Sequence, residues 1–169
     1  EISVRDWSSD VCSSDLGAMS NDFDFLHGDW TVVNRRLVKW LVGSDEWEEF
    51  PGAHTCHGFF DGAGSFEEIT FPSKGFSGSA YRVFNPDTKE WAIYWADSRT
   101  GTLQPPVFGS FHNGIATFYG DDESAGTPVR VRYIWSKITP TSAQWEQAFS
   151  VDGEQTWETN WIMEFTRWH

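Results

Sequence analysis

At 169 residues the chain has room for one domain with a sizeable core. Its net charge of -13 repels phosphate backbones and argues against a nucleic-acid partner, and no apolar run reaches membrane-spanning length. Aromatic residues make up 17% of the chain, with 11 Trp, a load that strands accommodate readily.

Residues 1–18 read as foreign to the domain expected over 19–169. The run from Asp6 to Leu16 has the form of a translated DNA-sequencing adapter, as in assembled environmental reads, which puts the natural start at Met19. Gly17-Ala18-Met19 also has the form of a tag-removal scar, and a disordered leader is the plainer alternative. The stretch lacks the basic start and apolar core of a signal peptide. Setting it aside removes Cys12, so Cys56 has no intrachain disulfide partner. The expected compartment is then the reducing cytoplasm.

A short helical turn is expected between Asn21 and His27, with Phe23 and Leu26 as its apolar contacts. From Trp30 onward the pattern is strand after strand. Trp30, Val32, Asn34, Arg36 and Val38 share one face of the first. Gly43-Ser44-Asp45 turns into a second strand over 46–60, where Pro51-Gly52 predicts a bulge or an edge. Asp61-Gly62-Ala63-Gly64 turns into 66–71. Strands over 76–84 and 90–97 flank the turn Asn85-Pro86-Asp87. Strands over 107–111 and 115–119 flank Asn113-Gly114, the strongest hairpin signal in the chain. An acidic loop is expected from Asp121 to Thr127, then strands over 129–138, 143–150 and 156–168. About ten strands joined by short hairpins predict an all-β, antiparallel up-and-down barrel. A sandwich is the alternative, disfavoured because long crossovers are absent.

The ends of this pattern predict how the barrel closes. Gly28-Asp29-Trp30 opens the first strand and Arg167 sits at the foot of the last, placed for a cation–π contact with Trp30. Together with 24–30, the stretches 91–97, 145–150 and 160–165 resemble a family of uncharacterised bacterial calycin-like barrel proteins, of the lipocalin and fatty-acid-binding type. The resemblance covers roughly 21–168. It implies a central cavity for small hydrophobic ligands. The wider superfamily also includes haem-binding nitrobindins and a few enzymes.

Alternation along the strands suggests which side chains point inward. In the last strand the more apolar set is Trp157, Thr159, Trp161, Met163 and Phe165; in the one before it, Ala143, Trp145, Gln147 and Phe149. Val131, Tyr133 and Trp135 are the inward set of 129–138, leaving Arg130 and Arg132 outside. Buried polar groups need a partner or a ligand, which makes Asn34, Arg36, Tyr133, Gln147 and Thr159 the candidates for orienting one. Trp95, Trp145 and Trp161 are candidate walls, although aromatic side chains also simply fill small barrels. Arg36 is a candidate anchor for an acidic or carbonyl-bearing group, with Asp97 as an internal partner; a rim position or a structural ion pair is the competing reading.

Signals for chemistry are sparse. His54-Thr55-Cys56-His57 has a metal-like composition, but alternation splits it between two faces, so no metal site is expected. Glu67-Glu68 is divided in the same way, and Asp121-Asp122-Glu123 reads as a solvated loop. No nucleophile elbow, phosphate loop or His-Glu-x-x-His motif occurs. The expectation is a cytoplasmic monomer or homodimer, without cofactor, that binds a small hydrophobic or aromatic molecule through Asn34, Arg36, Trp95, Tyr133, Trp145, Gln147, Thr159 and Trp161. An isomerase-, cyclase- or lyase-type enzyme is the alternative, with Arg36 polarising a carbonyl and Tyr133 or Asp97 moving a proton. A minor one is a haem protein, with His54, His57, His112 and His169 as possible ligands.

Overall fold

The computed structural model describes residues 21–168; the leader expected over 1–18, and His169, lie outside them. Ten antiparallel strands close into one barrel in up-and-down order. They are β1 (Gly28–Leu37), β2 (Trp47–Phe59), β3 (Gly64–Phe71), β4 (Phe76–Asn85), β5 (Glu90–Asp97), β6 (Val107–His112), β7 (Ile115–Ser124), β8 (Thr127–Ser136), β9 (Ser142–Ser150) and β10 (Glu158–Arg167). Closure comes from β1 pairing with β10 in a register that runs from Trp30 opposite Arg167 to Arg36 opposite Trp161. A closed sheet has no free edge, which removes the usual route to edge-to-edge association. Among the described residues no helix is long and apolar enough to cross a membrane.

One end of the barrel is plugged. The 3-10 turn Asp24–Leu26 lies across it, with Phe23 and Leu26 buried. Phe23 meets Trp91 edge-on at 4.9 Å and Phe111 at 5.1 Å. Leu26 accepts a hydrogen bond from Trp30 Nε1 at 2.8 Å. Arg167 then fastens the plug: its guanidinium lies 4.2 Å from the Trp30 ring and donates to the carbonyls of Phe25, His27 and Pro140 at 2.7, 2.7 and 2.9 Å. The expected contact between the chain ends is therefore present, and it does more than stack. It supplies donors to carbonyls that a 3-10 turn cannot satisfy itself.

Two local expectations need correction, and a third, a bulge or an edge at Pro51-Gly52, resolves to the edge. Pro51-Gly52 makes no bulge, since β1 and β2 pair without a shift from Gly28–Cys56 to Leu37–Trp47. Pairing of β2 with β3 begins only at Ala53, so Pro51 sits on a stretch with one neighbour, where a missing N–H is tolerated. The acidic segment after Asp121 is strand, not loop: β7 runs to Ser124 and turns through Ala125 and Gly126, both at positive φ. The pair Asn113-Gly114 also has positive φ at both residues, the geometry a two-residue hairpin demands. Finally, β10 carries a bulge between Thr159 and Trp161. The bulge reverses alternation before it, so Asn160 turns inward with Trp161. Trp157 is outside instead, against Tyr119 at 6.0 Å and under the Arg132 guanidinium at 4.5 Å.

Candidate ligand cavity

The end opposite the plug opens onto a cavity of about 280 Å3. Its mouth is framed by the loop between β1 and β2, the connection between β5 and β6, and the β7–β8 hairpin. Trp40, Gln104 and Ala125 represent these three segments in the lining. Trp40 is tied down by a 2.9 Å bond from its Nε1 to the Leu37 carbonyl and meets Phe149 edge-on at 5.3 Å. The Leu41 N–H behind it donates to Glu158 at 2.8 Å. The wall between β5 and β6 is thin. Only Trp91–Ile93 pair with β6, after which a single bridge joins Ala96 to Leu103.

The walls are aromatic. Trp95, Tyr133, Trp135, Trp145 and Trp161 all line the cavity. Tyr133 and Trp145 pack at 4.9 Å, and Trp145 meets Trp161 edge-on at 6.0 Å. Gly78 makes room for one wall: a methyl group there would lie 2.0 Å from the Trp95 ring. Burial pushes the Tyr133 hydroxyl upward, and the nearby Asp122 carboxylate adds to the effect, so the phenol stays neutral.

The deep part of the cavity carries a buried charge network. Glu67 and Arg82 line it, on adjacent strands, and form an ion pair with side chains 9% and 2% exposed. Glu67 also meets His54 Nε2 at 2.8 Å, while Arg82 reaches Ser65 at 3.3 Å. Burial alone raises a carboxyl, but Arg82 and then His54 outweigh it and hold Glu67 down at about 2. His54 itself stands behind Phe165, ring centroids 5.2 Å apart. Among the described residues, Arg82 Nε and Trp135 Nε1 are buried without a hydrogen-bond partner.

Of the residues expected to contact a ligand, Trp95, Tyr133, Trp145, Gln147 and Trp161 line the cavity, as does Asp97. Asn34, Arg36 and Thr159 do not. Asn34 is wholly buried, donating to the Phe50 carbonyl at 3.2 Å and accepting from Trp161 Nε1 at 3.0 Å, so it orients a wall. Arg36 stays at the rim, where Glu48 accepts from it at 2.7 and 3.0 Å and also pairs with Lys74. Its expected partner Asp97 is taken by Arg99, through bonds of 2.9 and 2.5 Å that hold the carboxyl below its usual range. Thr159 precedes the β10 bulge and loses its inward place to Asn160, which accepts from Gln147 at 2.9 Å. No histidine among the described residues lines the cavity.

Several lining residues escape the sequence reading: Glu67, Arg82, Arg99, Trp40, Asp122 and Glu123. Alternation alone could have found two of them. Glu67 is in phase with Ile69 and Phe71, and Arg82 with Ala80 and Gly78. The rest depend on where loops and hairpins fold back.

Comparison with family models and with curated proteins found no match.

Proposed function

We propose that this barrel binds a small, largely apolar molecule in its central cavity. The observation that carries the reading is a space of about 280 Å3 walled by aromatic rings inside a closed barrel. Well-packed interiors seldom leave such space without use, and apolar lining with a few placed polar groups is the usual form of a ligand site. Membership of the calycin-like family and a place in the cytoplasm, as monomer or homodimer, belong to the same proposal. A free, buried Cys56 fits a reducing compartment.

The enzyme alternative has less support, because Arg36, its carbonyl-polarising group, is engaged at the rim by Glu48. The haem alternative has no described histidine on the cavity wall. The test is titration with the neutral naphthalene dye prodan, read by its blue-shifted emission, in the full chain and in cavity-filling variants. Ala80, 2% exposed, lines the void. Saturable one-to-one binding that weakens in Ala80→Leu and disappears in folded Ala80→Phe is the expected result. Binding that survives both substitutions unchanged overturns the reading.

A further inference from the structure

The floor of the cavity holds two buried N–H donors without an acceptor. Arg82 and Trp135 both line the cavity and are 1% and 2% exposed. Each lies on an inward face: Arg82 is in phase with Gly78 and Ala80 along β4, and Trp135 with Val131 and Tyr133 along β8. They come together beside the plug, where the Arg82 guanidinium stands 4.8 Å from the Phe23 ring and 5.9 Å from the Trp135 ring. The two terminal nitrogens of Arg82 are used by the protein, one on Glu67 and the other on Ser65. Its Nε and Trp135 Nε1 find no partner among the described residues. A donor taken out of water and left unpaired costs free energy, so this pair marks a place for an acceptor oxygen.

The charge at the floor decides which kind of oxygen fits. Glu67 already neutralises Arg82 there. A ligand carboxylate would give up its hydration and be brought against the Glu67 carboxylate. A neutral carbonyl gives up much less, and its oxygen carries two lone pairs and no hydrogen that needs an acceptor in turn.

We propose that the cavity takes a neutral carbonyl compound, a ketone or amide with an apolar or aromatic body, its oxygen directed to Arg82 Nε and Trp135 Nε1 at the floor. The proposal rests on the cavity being a ligand site, as argued above. The rings of Trp95, Trp145 and Trp161 take the body.

The test is competition against bound prodan by three probes of one shape at pH 7: 2-acetylnaphthalene, 2-isopropenylnaphthalene, in which a methylene replaces the oxygen, and 2-naphthoate. The ketone should bind roughly tenfold tighter than the alkene, with the carboxylate weakest. A cavity without unmet donors gives the reverse order for the first two, because the ketone loses its hydrogen bond to water. In folded Trp135→Phe the ratio of ketone to alkene affinity should fall to about threefold or less. Taking the ratio within one protein cancels the change in cavity volume. A second readout uses the wild-type chain alone: the carbonyl stretch of bound 2-acetylnaphthalene, isotope-labelled at the carbonyl carbon, should lie below its frequency in hexane. The proposal is overturned if the alkene matches or beats the ketone, as it does when water alone satisfies the two donors. It is equally overturned if the carboxylate binds best, if folded Trp135→Phe keeps the wild-type ratio, or if the bound stretch equals that in hexane. Any of these results with prodan still bound leaves the apolar cavity standing. Failure of prodan itself to bind removes both.

Discussion

Replacing Glu67 by Gln should expose how much the barrel depends on its buried network. The side chain keeps its size but loses its charge, leaving the Arg82 cation, 2% exposed, with no carboxylate, only the Ser65 hydroxyl, a neutral amide and the Phe23 and Trp135 rings beside it. Breaking a buried pair from one side costs about 3–5 kcal/mol. The depression of the carboxyl by its two partners gives a second figure of the same order. Glu67 is held at about 2 against an ordinary 4.5, which corresponds to roughly 3 kcal/mol of stabilisation of the charged form. The sign follows from a folded-state value lowered below the unfolded one. The contribution is fully present above about pH 4.5 and drains away as pH falls toward 2. In urea denaturation followed by tryptophan emission, Glu67→Gln should therefore lose about 3 kcal/mol at pH 7, or roughly 6–12 °C in Tm. The gap from wild type should narrow steadily from pH 4.5 downward. Should the single variant not fold, Glu67→Met with Arg82→Met removes both charges, and it should be more stable than either single change. A loss under about 1 kcal/mol at pH 7, or a gap that widens in acid, would refute this account of the network.

Arg167→Ala removes one cation–π contact and donors to three carbonyls, and should cost about 3 kcal/mol in chemical denaturation. Arg167→Lys should recover less than half of that, because a single ammonium cannot span the three carbonyls. Gly78→Ala drives a methyl group into the Trp95 ring, so it should cost about 1–3 kcal/mol and weaken prodan binding in the same variant. Burial pushes the Cys56 thiol up to about 11. In a Cys12→Ser background it should react with a disulfide reagent at pH 8 only under denaturing conditions; prompt reaction of the native chain would contradict its burial.

What could be read from the residues alone was largely what is local or periodic. Alternation placed Trp95, Trp145 and Trp161 on inward faces because side-chain direction in a strand has a fixed period of two. Asn113-Gly114 announced its hairpin because few other dipeptides accept positive φ at both positions. Alternation failed at Thr159, since one extra residue in β10 reverses every face before it and leaves no clear mark in the sequence. It also misjudged 121–124, where acidic composition suggested a loop but pairing with β8 imposes a strand.

The sequence by itself determined a closed antiparallel barrel, the order of its strands and the Trp30–Arg167 latch, all of which follow from short-range pattern and turn chemistry. Only the tertiary structure decided that Arg36 answers Glu48 and not Asp97, that Glu67 finds Arg82 and His54, and that an open space survives among so many aromatic rings. Those outcomes depend on the register between neighbouring strands and on how side-chain volumes fill a common interior. Both are properties of the assembled sheet, which no single strand carries.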